Sequence, residues 1–318
     1  MLLVLLTAWS LVGYLTAPRH HDVGPPPRNM PVQDVAFESD SGSRIHGWYV
    51  TRTENAPAIL LVHGLHGDRT WMMTRAGILL NAGYAILAID LSAHGESEGE
   101  GITFGWREHH DVTAAVRFLR EIKGHERVGA IGESLGGASI VMGDRSQRLD
   151  AVVLEMVFRD LDSAVHDRVA RWLGSWGASI IAPLLTVQGP RRMGFAADDL
   201  RPIERIGDLD APVFVMGGDR DAHTPTEDTR ALYEAARGPK ELWPACKRRP
   251  ATPMRNAFSR SSPSTSSALG LTLASSTCQW GDSVGPSTPT ASITILPLTH
   301  DSGLSEAASP SHALTGGW

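Results

Sequence analysis

Apolar positions in this chain fall into three patterns, each predicting a different element. Short unbroken runs, AILLV (58–62), YAILAI (84–89), RVGAI (127–131), AVVLEMVF (151–158) and PVFVM (212–216), are too short for helices and bounded by turn-forming or charged residues. Continuous apolarity over so few residues marks strands covered on both faces. Between them lies helical spacing, clearest over 111–123, where Val112, Ala115, Val116, Leu119 and Ile122 form one stripe. Alternation is confined to 35–50, VAFESDSGSRIHGWYV, which predicts two strands around an Asp40-Ser41-Gly42 turn. Strand and helix alternate, so the fold class is α/β, a doubly wound, mostly parallel sheet opened by an antiparallel hairpin.

Three segments fall outside that rhythm. Residues 2–17 (LLVLLTAWSLVGYLTA) carry no charge and lead into Pro25-Pro26-Pro27, so 1–29 is set apart as an apolar segment and linker before a domain over 30–243. The run is about four residues short of a comfortable bilayer span and lacks a basic n-region; it is compatible with an uncleaved anchor, a cleaved signal or a buried helix. Membrane attachment through 2–17 is the favoured expectation. Residues 159–210 form an insertion containing ARWLGSWGASIIAPLL, expected as cap helices over a site, with extension of the core as the plainer alternative. From Pro244 to Trp318, 32 of 75 residues are Ser, Thr or Pro, and only Asp282, Asp301 and Glu306 are acidic. Such a composition cannot bury enough apolar surface to offset chain entropy, so 244–318 is expected as an irregular, low-complexity tail.

Charge and cysteine content narrow the function classes. The formal charge of −6 at pH 7 is spread without a basic stripe, which speaks against nucleic acid as a partner. Cys246 and Cys278 are the only cysteines, and no metal-ligand spacing occurs, so neither a disulfide framework, a metal nor a cofactor is expected.

The chemistry sits after the strand RVGAI, in Gly132-Glu133-Ser134-Leu135-Gly136-Gly137. A strained strand-to-helix turn needs glycine on both sides, because the chain folds back tightly while the serine hydroxyl stands clear. Ser134 is the candidate nucleophile. Acyl transfer also needs N–H donors at the developing oxyanion. Leu135, after the nucleophile, and Leu65, in the His63-Gly64-Leu65-His66-Gly67 loop behind AILLV, occupy those places. His63 and His66 are expected to order that loop and not to act as base or metal ligands.

The loop after PVFVM, Gly217-Gly218-Asp219-Arg220-Asp221-Ala222-His223-Thr224-Pro225, resembles the Gly-x-x-Asp-x-x-x-Pro loop of α/β-hydrolases of the serine aminopeptidase and monoacylglycerol-lipase-like group. The resemblance continues through Asp90, His94-Gly95-Glu96-Ser97, Phe104-Gly105, Glu108 and Asp111, which are mainly structural in that family. In layout the chain resembles bacterial members with one N-terminal apolar segment. The likeness spans about residues 30 to 243. It implies a serine hydrolase acting on carboxylic ester or amide bonds of a small-molecule ester or peptide substrate. Counting back from Pro225 makes Asp221 the triad acid, with Asp219 as runner-up. Location would be membrane-associated on the extracytoplasmic side, or secreted.

One element of the family pattern is missing. Glu241-Leu242-Trp243 begins what should be the last strand before a Gly-x-x-His loop, but the chain continues PACKRRPATPMRNAF. A tail on a catalytically dead, membrane-tethered binding protein, a histidine recruited from elsewhere, and a reading-frame shift near Trp243 all fit. The frameshift is the preferred reading, because a two-nucleotide shift over Pro244 to Phe258 permits a peptide containing Gly-His. Among substitutes, His223 lies too close to Asp221 in the chain to reach round to Ser134, and His300 and His312 sit in the tail.

Overall fold

The computed structural model describes residues 2–28, 30–143, 147–218, 221 and 224–243. Eight strands form one sheet: β1 (Gln33–Glu38), β2 (Arg44–Val50), β3 (Ala58–Val62), β4 (Ala85–Ile89), β5 (Val128–Glu133), β6 (Ala151–Glu155), β7 (Val213–Met216) and β8 (Lys240–Trp243). Their spatial order is β1-β2-β4-β3-β5-β6-β7-β8. The β1–β2 and β2–β4 pairs are antiparallel and all others parallel. The α/β fold with a mostly parallel sheet is therefore the one expected.

Helices α1 (Leu2–Leu15), α2 (Met73–Asn81), α3 (Glu108–Arg117), α4 (Leu135–Met142), α5 (Leu161–Met193), α6 (Pro202–Arg205) and α7 (Thr226–Ala235) complete the described chain. Every residue of β3 and β4 is buried, as unbroken apolar runs require. On one face, Leu60, Leu87, Ala130, Leu154 and Val215 pack beneath α3, α4 and α7 in the main core. On the other, Ile59, Leu61, Ile86 and Ile131 meet Met72, Ala76 and Leu79 around α2. That second core fades toward β8, where Ala151 and Val153 are half-buried and Phe214 packs edge-on against Trp243 at 6.1 Å.

Two boundaries differ from the apolar pattern. β6 stops at Glu155, not Phe158, because Met156 takes a positive φ of 53° and turns the chain. The helical stripe over 111–123 loses Ile122, which is 70% exposed. Residues Phe118–Ile122 form a π-turn, with the Lys123 N–H donating to the Phe118 carbonyl at 3.1 Å. The wider turn rotates later side chains off the core face.

The N-terminal segment is joined to the body. Val12 of α1 packs against Leu185 of α5, with Val165, Val169 and Ile181 around them. Beyond α1, the Thr16 carbonyl accepts the Ile102 N–H at 2.9 Å, and Arg19-His20 pairs in parallel with His94-Gly95. The His21 ring then bonds the Asp68 carboxylate at 3.0 Å. Among the described residues, no helix is long and apolar enough to cross a membrane. The low-complexity tail, with Cys246, Cys278, His300 and His312, lies outside the described residues.

Candidate active site

Parallel strands β3, β5, β6 and β7 end on one edge of the sheet, and the candidate residues leave the sheet there. Ser134 joins β5 to α4 with φ 50° and ψ −109°, a conformation costly for a residue with a Cβ. Neighbours hold it in place. Its N–H donates to the Glu155 carbonyl at 2.8 Å, and its own carbonyl accepts from Ala138 N–H at 2.9 Å. Glycine is demanded on both sides: a Cβ at position 132 would lie 2.5 Å from the Gly137 nitrogen, and one at 136 would lie 2.5 Å from the Val62 oxygen. The Gly-x-Ser-x-Gly spacing is thus a record of close backbone approach.

Under the turn lies an ionic cluster with no local sequence signal. Arg75 of α2 places its guanidinium between Glu133, at 3.1 Å, and Glu155. Burial pushes the Glu133 carboxyl above its ordinary value, and the Arg75 charge opposes that push. The partners are 58 and 80 residues from Arg75 in sequence, so periodicity could not have revealed them.

The two candidate oxyanion donors come from adjoining backbone. Leu135 is the first residue of α4, so its N–H has no intrahelical acceptor. Leu65 lies in the turn after β3, closed by a Gly67 N–H bond to the Gly64 carbonyl at 3.1 Å. That turn adjoins the elbow: a Cβ at Gly64 would lie in van der Waals contact with the Ser134 Cβ, at 3.7 Å.

His63 and His94 tie this turn to the loop after β4. His63 Nδ1 pairs with the Gly64 carbonyl at 2.7 Å, while Nε2 accepts the Leu91 N–H at 3.1 Å. His94 Nδ1 pairs with the Ser92 carbonyl, and its Nε2 accepts the His66 N–H at 3.3 Å. Burial lowers both pKa values, His94 to about 3, so each ring is neutral at pH 7. Both rings therefore act as connectors between two loops. In the same loop, Asp90 accepts the Arg69 and Glu96 N–H groups and pairs with the Arg69 guanidinium at 3.2 Å. Asp111 accepts from Ser39, Ser41 and the Ser92 N–H, while Glu108 holds Thr103 and Gly105.

Asp221 follows β7. Its carboxylate accepts the Thr224 N–H at 3.2 Å and the Thr224 hydroxyl at 2.8 Å. Its charge raises the Glu133 pKa and supports the cationic form of Arg168, a cap residue whose pKa burial lowers. Asp221 is thereby within electrostatic reach of Glu133 and of Arg168 on α5, a neighbour the sequence did not single out. The runner-up acid Asp219, and His223, lie outside the described residues. Among the described residues, no group of three metal-ligating side chains converges.

Comparisons with known proteins agree with this architecture. Rv2307c of Mycobacterium tuberculosis, an uncharacterised protein, is 32% identical over 215 residues, 65% of this chain and 68% of that protein. Uncharacterised YqkD of Bacillus subtilis is 27% identical over 230 residues, 70% of this chain and 74% of that one. Among solved structures, the Pyrococcus furiosus esterase Pf2001 superposes with a TM-score of 0.59 at 22% identity, covering 72% of this chain and 88% of that chain. A profile of the alpha/beta hydrolase family matches residues 59–260, from β3 across the elbow and acid loop to beyond β8. With that match over most of its length and the sheet order to go with it, the chain is a member of the alpha/beta hydrolase family.

Proposed function

We propose that this chain descends from, and retains most of, a serine hydrolase acting on carboxylic ester or amide bonds. Ser134 Oγ would attack the substrate carbonyl, forming an O–C bond. The carbonyl oxygen would take the resulting charge against the N–H groups of Leu65 and Leu135. Collapse would expel the alcohol or amine with a proton, and water would then release the acid from the serine ester. Asp221 would orient a base. The observation that carries this reading is the strained Ser134 backbone at a strand-to-helix junction, with the Leu65 turn packed against it.

The base is the missing part. No Gly-x-x-His loop follows Trp243 in this sequence, and the two buried histidines near the elbow are committed to backbone partners. A frame shift near Trp243 accounts for an otherwise intact site without its base. The chain as written is then a poor enzyme, since losing the base of a comparable triad costs about 10⁶ in turnover. Oxyanion donors and binding alone leave roughly 10³-fold over water.

The test is hydrolysis of a short p-nitrophenyl ester by the chain as written, its Ser134→Ala variant and a frame-restored version. Rescue by frame restoration is expected. Fast hydrolysis by the chain as written, abolished in Ser134→Ala, would mean that another histidine serves as base. The alternative, a catalytically dead binding protein, predicts no fluorophosphonate labelling of Ser134 even after the frame is restored.

A further inference from the structure

Eight of the eleven large apolar side chains exposed among the described residues lie on just two helices, α1 and α5. Beyond the Gly174 kink, α5 carries two apolar stripes. Ala178, Ala182, Leu185 and Gly189 are buried, and Gly189 and Leu185 meet Val12 of α1. Trp176, Ile180, Pro183 and Val187 follow the 4-3-4 spacing of a single helix face, and all four are exposed. Amphipathic helices ordinarily turn such a stripe inward. Here it points outward, as do Trp172, at 78% exposure, and the Trp9 and Tyr14 rings of α1.

Arginines line this patch. From Arg171 to Arg192 the charged residues are Arg171, Arg191 and Arg192, in a stretch bounded in sequence by Asp167 and Asp198, and before Asp22 the only side chain with a formal charge is Arg19. Two of them stack at its rim, Arg192 over the Trp9 ring at 4.9 Å and Arg19 over the Tyr14 ring at 4.7 Å. Aromatic rings beside guanidinium groups are the composition of a membrane–water interface.

We infer that the paired α1–α5 face docks in the plane of an anionic lipid bilayer. Geometry decides against spanning: α1 has 14 residues, about 21 Å at 1.5 Å per residue, against a hydrocarbon core of about 30 Å. It also packs sideways on α5, so both helices must lie along the surface together. Charge disfavours a second copy, because two such faces would set the Arg19 and Arg192 guanidinium groups of one copy against those of the other. The surface includes the cap, so it extends the expected N-terminal attachment to a second, distant segment. It does not depend on Ser134 being active.

Flotation of the full chain with vesicles of phosphatidylcholine, alone or mixed with phosphatidylglycerol, tests this. Binding to the mixed vesicles is expected to be at least about tenfold tighter and to weaken with added salt. Trp172→Ser/Trp176→Ser and Arg191→Glu/Arg192→Glu should each weaken it roughly tenfold, since an exposed indole or a surface arginine contributes on the order of several-fold. Ile122→Ser, an exposed apolar change elsewhere, should leave it unaltered. Should the tryptophan variant fail to fold, the charge reversal and quenching of wild-type tryptophan fluorescence by brominated lipid carry the test. The inference is overturned by absence of vesicle binding, by equal binding to both vesicles, by an equal loss in Ile122→Ser, or by a concentration-dependent dimer that binds neither vesicle.

Discussion

The elbow at Ser134 and the loop at Asp221 stand at the same edge of the sheet, yet they are held by different means. The elbow is wedged between β3, β6 and α4 by backbone contacts that leave no room for a Cβ at 132 or 136, and it is braced below by Arg75. Asp221 accepts two hydrogen bonds from Thr224, three residues on. It hangs from β7, whose outer neighbour β8 is the last described strand. The candidate nucleophile is therefore a property of the sheet centre, whereas the candidate acid sits toward the margin of the described sheet. A defect beyond Trp243 would leave the first intact while stripping support from the second.

Removing the brace should have the largest effect. Arg75→Met leaves Glu133 and Glu155 facing each other without a cation, and breaking such a largely buried pair costs about 3 kcal/mol or more. Urea unfolding should report that loss, and a change under 1 kcal/mol would show the elbow to be held by backbone contacts alone. Gly136→Ala comes next. Its new Cβ meets the Val62 and His63 oxygens, so a destabilisation of about 1–3 kcal/mol is expected. In the frame-restored protein the same change should reduce kcat far more than the stability loss explains, because it displaces the Leu135 N–H. The smallest change tests the other side of the comparison. Thr224→Val removes one hydroxyl donor to Asp221, with an expected cost of about 1 kcal/mol. In the frame-restored protein it should leave fluorophosphonate labelling of Ser134 unaltered where Gly136→Ala abolishes it.

The strands, the mostly parallel sheet, the hairpin and the tight turn at Ser134 were legible because each is encoded by neighbours in sequence. The runs AILLV and YAILAI became fully buried strands since their apolarity is unbroken. The glycines at 132 and 136 announced a tight turn at 134. What stayed hidden was set by long-range encounter. Nothing in MTRAGILLN signals that Arg75 reaches the two glutamates that end β5 and β6. Residues 2–17 read as a detachable segment, because the apolar composition that suits lipid also suits the side of α5. Ile122 was misplaced for a different reason: the stripe assumes 3.6 residues per turn, and the π-turn at Phe118 departs from it.

The backbone at Ser134 has an evolutionary corollary. A non-glycine residue held at φ 50° costs the folded chain on the order of 1–3 kcal/mol, and glycine would relieve it. A lineage with no use for the hydroxyl would gain stability from a single exchange. On the proposed function, the serine at this position serves the chemistry at a cost to the fold.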